Sequence, residues 1–131
     1  MDLNDKNQLP QKNRTFGDSF RYAFEGIKTT FQEERNMRVH VCAGTFALLL
    51  GFFLSLSLIE WLFIALSVFM VIVMEILNTV IENLVDLVTT EFHPLAKKVK
   101  DMAAAAVLST TTFAVIVGAI IFLPKFYHLF F

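Results

Sequence analysis

Residues 41–59, 61–74 and 102–124 carry no charged side chain, and that pattern leaves few folds open to the chain. A helix crossing the ~30 Å hydrocarbon layer of a bilayer needs about 20 mostly apolar residues, so the first and third runs suffice alone. The second suffices only if its helix continues through Glu75. With 56% hydrophobic residues and 15 phenylalanines in 131 residues, the chain is too apolar for an ordinary soluble domain of its length. An all-α integral membrane protein with three transmembrane helices is expected, with spans at about 36–58, 61–90 and 99–123.

The second span poses the chemical question. In "VFMVIVMEILNTVIENLVDLV", residues 68–88, Glu75, Asn78, Glu82 and Asp86 interrupt an otherwise apolar run. A charge at the centre of a spanning helix costs about 2.5–3.5 kcal/mol on insertion scales, so these residues need a reason to be there. Nothing before His93-Pro94 breaks the helix strongly. At about 100° per residue the four side chains fall within roughly 80° of one another, forming one polar seam. Measured from Trp61, Glu75 lies about 21 Å along the axis and Glu82 about 31 Å, just inside and at the edge of one leaflet. If spans one and two are antiparallel about a turn near Leu58, position 34 is level with position 82. Glu34 and Glu82 would then form a hard-cation site, for which Mg²⁺ with oxygen ligands and retained waters is the fitting ion.

Lysine and arginine placement sets the orientation. Lys6, Lys12, Arg14, Arg21, Lys28, Arg35 and Arg38 precede residue 40, and Lys97, Lys98 and Lys100 lie between the second and third spans. The turn at residues 55–60 has none, so the amino terminus and the loop "TTEFHPLAKKVKD" are expected on the cytoplasmic side. Residues 1–13 have almost no apolar content and are expected to be disordered. They also lack the apolar core and small-residue site of a cleaved signal peptide.

Within "FGDSFRYAFEGIKTTF", Phe16, Phe20, Ala23, Phe24, Ile27 and Phe31 recur at steps of three and four, opposite Asp18, Arg21, Glu25 and Lys28. That spacing predicts an amphipathic amino-terminal surface helix at about 15–32, lying in the membrane interface. Residues 14–131 then make one membrane domain. The single Cys42 rules out an intramolecular disulfide and is expected as a packed thiol. His40 and His93 have no metal-ligand partner spacing and are expected at the surface or an interface. Ala103–Ala106, Ser109, Ala114 and Gly118 are small enough for close helix packing. No glycine run has the spacing of a phosphate-cradling loop.

Residues 75–108, "EILNTVIENLVDLVTTEFHPLAKKVKDMAAAAVL", resemble the signature of the small prokaryotic diacylglycerol kinase and undecaprenol kinase family. The match is an E-x-x-N-[ST]-x-x-E pattern followed by a next helix opening K-D-x-x-x-A-A-V-L. It extends to "SFRYAFEGI" and "EERNMRVH", covering nearly all of the chain beyond residue 14. The resemblance implies a homotrimer of three-span protomers in the cytoplasmic membrane of a bacterium, transferring the terminal phosphoryl group of MgATP to a lipid hydroxyl. By motif position, Glu75 would take the hydroxyl proton, and Glu34 and Glu82 would hold Mg²⁺. Arg14, Tyr22, Gly26, Glu34, Asn78, Glu82, Glu91, Lys100 and Asp101 would surround ATP, with Lys100 near its phosphates. Glu75, Asn78 and Arg38 would meet the lipid.

The flanking segments look more like the undecaprenol kinase branch, so undecaprenol is the expected substrate and diacylglycerol the alternative. Membrane lipids are the other expected partners, and no nucleic acid is. Intramembrane carboxylates also serve proton or cation pathways. The apolar outer half, residues 61–74, argues against a through-path.

Overall fold

A computed structural model describes residues 15–131; the expected disordered segment 1–13 and Arg14 lie outside the described residues. Four helices follow in order: α1 Phe16–Glu33, α2 Arg35–Phe53, α3 Leu58–Val88 and α4 Pro94–Phe130. The described residues contain no strand. Helices α2, α3 and α4 are each long and apolar enough to cross a membrane.

Each boundary has a local cause. Thr15 opens α1 with a reciprocal cap: its hydroxyl accepts from the Asp18 N–H at 3.2 Å, and the Asp18 carboxylate accepts from the Thr15 N–H at 3.2 Å. Glu34 separates α1 from α2 because its backbone is extended, at φ −99° and ψ 118°. The last carbonyls of α1 would otherwise lack partners. Arg38 reaches back to supply them, donating to Phe31 O at 3.2 Å and to Gln32 O at 2.8 Å. Ser55 turns the chain between α2 and α3 at φ +51°, a left-handed conformation that costs a non-glycine residue about 1–2 kcal/mol. Ser57 and Glu60 then cap α3 reciprocally, and Lys125 joins Glu60 at 3.1 Å, tying the end of α4 to the start of α3.

Helix α4 departs from the expected span of 99–123 at both ends. It begins at Pro94, whose fixed φ suits the first helical position, with His93 Nδ1 accepting the Leu95 N–H at 3.1 Å. It also continues through Pro124 to Phe130. A proline removes one backbone hydrogen bond, which a long helix packed on a neighbour tolerates.

Helix α3 is central. It packs on α2 along one side and on α4 along the other, while α1 touches α2 and α3. Its buried residues, Ile64, Ser67, Val71, Glu75, Asn78 and Thr79, follow helical spacing along one face. On α2 the buried residues are Met37, Gly44 and Gly51, seven apart. Transfer out of water cannot hold helices together in lipid, so close packing has to. A Cβ on Gly44 would stand 2.9 Å from Val68 Cγ1, and one on Gly51 would stand 2.9 Å from the Trp61 ring. Leu56, Ile64, Val117 and Ile121 form the buried cluster at that end.

Two expectations meet different outcomes in the packing. Cys42 is exposed rather than packed, because two residues of helix turn it about 200° away from the Gly44 seam. His40 is half-buried between helices, where it meets the polar seam of α3.

Candidate functional site

The polar seam of α3 is buried where it meets α2. Glu75 is 1% exposed, and among the described residues neither carboxylate oxygen has a hydrogen-bond partner. A buried polar group without partners costs stability, so this carboxylate is held for a reason other than packing. His40 on α2 approaches it, with Nε2 3.7 Å from Glu75 Oε2. One turn along, the Asn78 Nδ2 amide donates to Glu82 Oε1 at 3.1 Å, leaving Asn78 Oδ1 buried without a partner. The Thr79 hydroxyl is committed to the Glu75 backbone carbonyl at 3.0 Å.

Glu34 and Glu82 are the ionised groups near enough for their charge to bear on Glu75. Glu34 stands at the break where α1 gives way to α2. Three like charges in one place repel unless a cation joins them. Among the described residues no three His, Cys, Asp or Glu side chains converge as a cage for a metal. Glu82 beside the unpartnered Asn78 oxygen is still a donor set that fits Mg²⁺. That ion keeps waters and is usually held by one or two carboxylates plus the phosphates of a substrate.

Positive charge arrives from α4. Lys100 Nζ lies 2.6 Å from Asp86 Oδ1 and also feels the charge of Glu82. Asp101 points elsewhere and pairs with Lys97. Glu91 is exposed in the α3–α4 loop, where its N–H donates to the Thr89 hydroxyl at 3.2 Å. On α1, Tyr22 is exposed and accepts from Arg21 Nη2 at 3.4 Å. Nothing lies within 4 Å of where a Gly26 Cβ would be, so that part of α1 borders open space. Arg38 is occupied by the carbonyls of α1.

Asn78 and Glu82 are in direct contact one turn from Glu75, and the charges of Glu34 and Lys100 bear on that group, whereas Tyr22, Gly26, Glu91 and Asp101 make their described contacts elsewhere or none. Sequence reading missed His40 as a neighbour of Glu75. The signal was available, because the hairpin register that levels position 34 with 82 levels position 40 with 76. Chemically, the neighbourhood offers an unencumbered buried carboxylate, a pair of oxygen ligands and a lysine at the open end. That set suits proton removal from an alcohol beside a polyanionic reagent.

Comparison with known proteins points the same way. A family model described as prokaryotic diacylglycerol kinase matches residues 21–122. The undecaprenol kinase of Bacillus subtilis is 43% identical over 123 residues, which cover 94% of this chain and 99% of that protein. A diacylglycerol kinase of Synechocystis is 42% identical over 107 residues, covering 81% of this chain but 61% of that longer relative. The diacylglycerol kinase of Escherichia coli is 32% identical over 105 residues, covering 80% of this chain and 86% of its own.

Proposed function

Because the chain belongs to the prokaryotic diacylglycerol kinase family and is a membrane lipid kinase, we propose that it phosphorylates undecaprenol at the expense of MgATP. The observation that carries this substrate choice is the match to the Bacillus subtilis undecaprenol kinase over almost the full length of both chains. Diacylglycerol is the second reading, favoured by the 42% identity to the Synechocystis diacylglycerol kinase.

In this reading the lipid hydroxyl enters beside Glu75. The buried carboxylate accepts the hydroxyl proton as the lipid oxygen bonds to the terminal phosphorus of ATP. The bond from that phosphorus to the bridging oxygen breaks, and ADP leaves. Phosphoryl transfer depends on positioning and charge neutralisation more than on covalent chemistry. Lys100 meets the phosphates after sharing or releasing Asp86. Glu34 and Glu82 would hold Mg²⁺, which neutralises developing charge on the phosphates when bound. Asn78 orders Glu82 through its amide and offers its free oxygen to the site. Arg14, Tyr22, Gly26, Glu91 and Asp101 border the nucleotide, and Arg38 approaches the lipid once it leaves the carbonyls of α1.

The same reading places α1 in the membrane interface. Phe16, Phe20, Phe24, Ile27 and Phe31 are all exposed on it, and lipid would cover them. It places the amino terminus and the Glu75 site on the cytoplasmic side of a bacterial membrane, in a homotrimer of this chain. Purified protein incubated with MgATP and undecaprenol should yield undecaprenyl phosphate by mass spectrometry. Cation flux in liposomes without any phosphorylated lipid would support a conducting protein instead.

A further inference from the structure

Glu75 is the seam residue that nothing on its own helix holds. The terminal torsion of a glutamate is broad, so an unpartnered carboxylate has no fixed direction for its two oxygens. The donors nearest to it along α3 are committed elsewhere: the Asn78 amide to Glu82, and the Thr79 hydroxyl to a backbone carbonyl. The approach comes from α2, where His40 Nε2 stands 3.7 Å from Glu75 Oε2. The two side chains are 17% and 1% exposed, so water competes little for either.

From this geometry we infer that His40 is the positioning residue for Glu75, donating from Nε2 to Oε2 so that Oε1 is left to face the lipid hydroxyl. The inference rests on the reading of Glu75 as the proton acceptor. The separation is a few tenths of an ångström beyond a hydrogen bond, and contacts to a catalytic base commonly tighten when the reacting complex forms. Fixing a carboxylate from the side in this way is what orienting partners do for catalytic groups generally.

The surroundings of His40 strengthen the case. The ring also lines a cavity of about 190 Å³ between α2, α3 and α4, together with Ala47, Ile64, Val71, Thr111 and Gly118. His40 thus stands between an apolar space inside the membrane layer and the buried carboxylate. A residue whose task was packing alone would be served better there by an aliphatic side chain, with no polar nitrogens to desolvate.

The test compares three full-length purified variants in mixed micelles. His40→Leu keeps bulk and helix preference but removes the donor; His40→Gln keeps a donating N–H; Glu75→Gln tests the underlying reading. His40→Leu should lower kcat roughly 10–100-fold with KM for MgATP within about twofold of the parent, as expected when an orienting contact is lost. His40→Gln should recover most of that kcat. Oligomeric state by size exclusion should match the parent in both. Undiminished kcat in His40→Leu overturns the inference. So does a His40→Gln enzyme as slow as His40→Leu, or an activity loss matched by loss of assembly. Activity surviving in Glu75→Gln would instead remove the reading beneath it, so the two failures are told apart.

Discussion

Lys100 Nζ and Asp86 Oδ1 stand 2.6 Å apart, joining the second turn of α4 to the last turn of α3. The contact aims a lysine at the layer of Glu82, whose charge it also feels. Both partners are substantially exposed, at 37% and 55%, so solvent screens the pair and it adds little to the fold. Its significance lies in where it holds the lysine. Replacing Lys100 with methionine should therefore lower kcat/KM for ATP by at least about 100-fold, the scale seen when a donor to developing charge is removed. Asp86→Asn should change KM for ATP far less than the lysine replacement does, because the exposed pair is screened by solvent. Steady-state kinetics with ATP as the varied substrate separates the two.

Glu75→Gln should reduce transfer by at least about 10²–10⁴-fold, the usual contribution of a positioned base. The same change should leave the thermal midpoint unchanged or raise it. An unpartnered buried carboxylate is a cost to the fold, and an amide carries no charge to desolvate. Thermal unfolding in detergent, followed beside the activity assay, reads both effects. Equal loss of stability and activity would point to a scaffold role.

Glu34→Gln and Glu82→Gln should each raise the Mg²⁺ concentration needed for half-maximal rate by about tenfold or more, as losing a charged ligand from a hard-cation site does. The rates of both variants should approach each other at saturating metal. A Mg²⁺ titration of initial rates checks this, and superimposable curves for parent and variants would remove both residues from the metal.

Gly44→Ala should destabilise the protein by about 1–3 kcal/mol, because the new methyl would meet Val68 Cγ1 at 2.9 Å and a β-branched side chain yields little. Adding Val68→Ala should return part of the loss, since the two changes act at one contact. Thermal midpoints of the two single variants and the double variant close this cycle.

Much of the architecture was legible in particular residues. The uncharged runs at 61–74 and 102–124 each fall within one long helix, whereas the run 41–59 leaves α2 at Phe53 and passes through the turn into α3, short of the expected end at 58. Counting back along the hairpin to level 34 with 82 also levels 40 with 76, and His40 does approach Glu75 at 3.7 Å. Helix ends were harder. Pro124 looked like a terminus, but the removal of one hydrogen bond does not end a helix whose other bonds persist.

Side-chain commitments were much less legible. Nothing in the spacing of Arg38 announces that it caps α1, since that depends on the extended backbone at Glu34. Local spacing does not show the approach of His40 to Glu75 either; only the register of the hairpin, which levels 40 with 76, points to it. Such contacts arise only when two helices are set side by side.

The most direct measurement is the initial rate of labelled phosphate transfer from MgATP by purified protein in mixed micelles. Undecaprenol and diacylglycerol would be tested separately at equal mole fraction, with Glu75→Gln run alongside. The predicted result is faster labelling of undecaprenol, with Glu75→Gln slower by at least about 100-fold. Faster labelling of diacylglycerol, or transfer by Glu75→Gln near the parental rate, would contradict it.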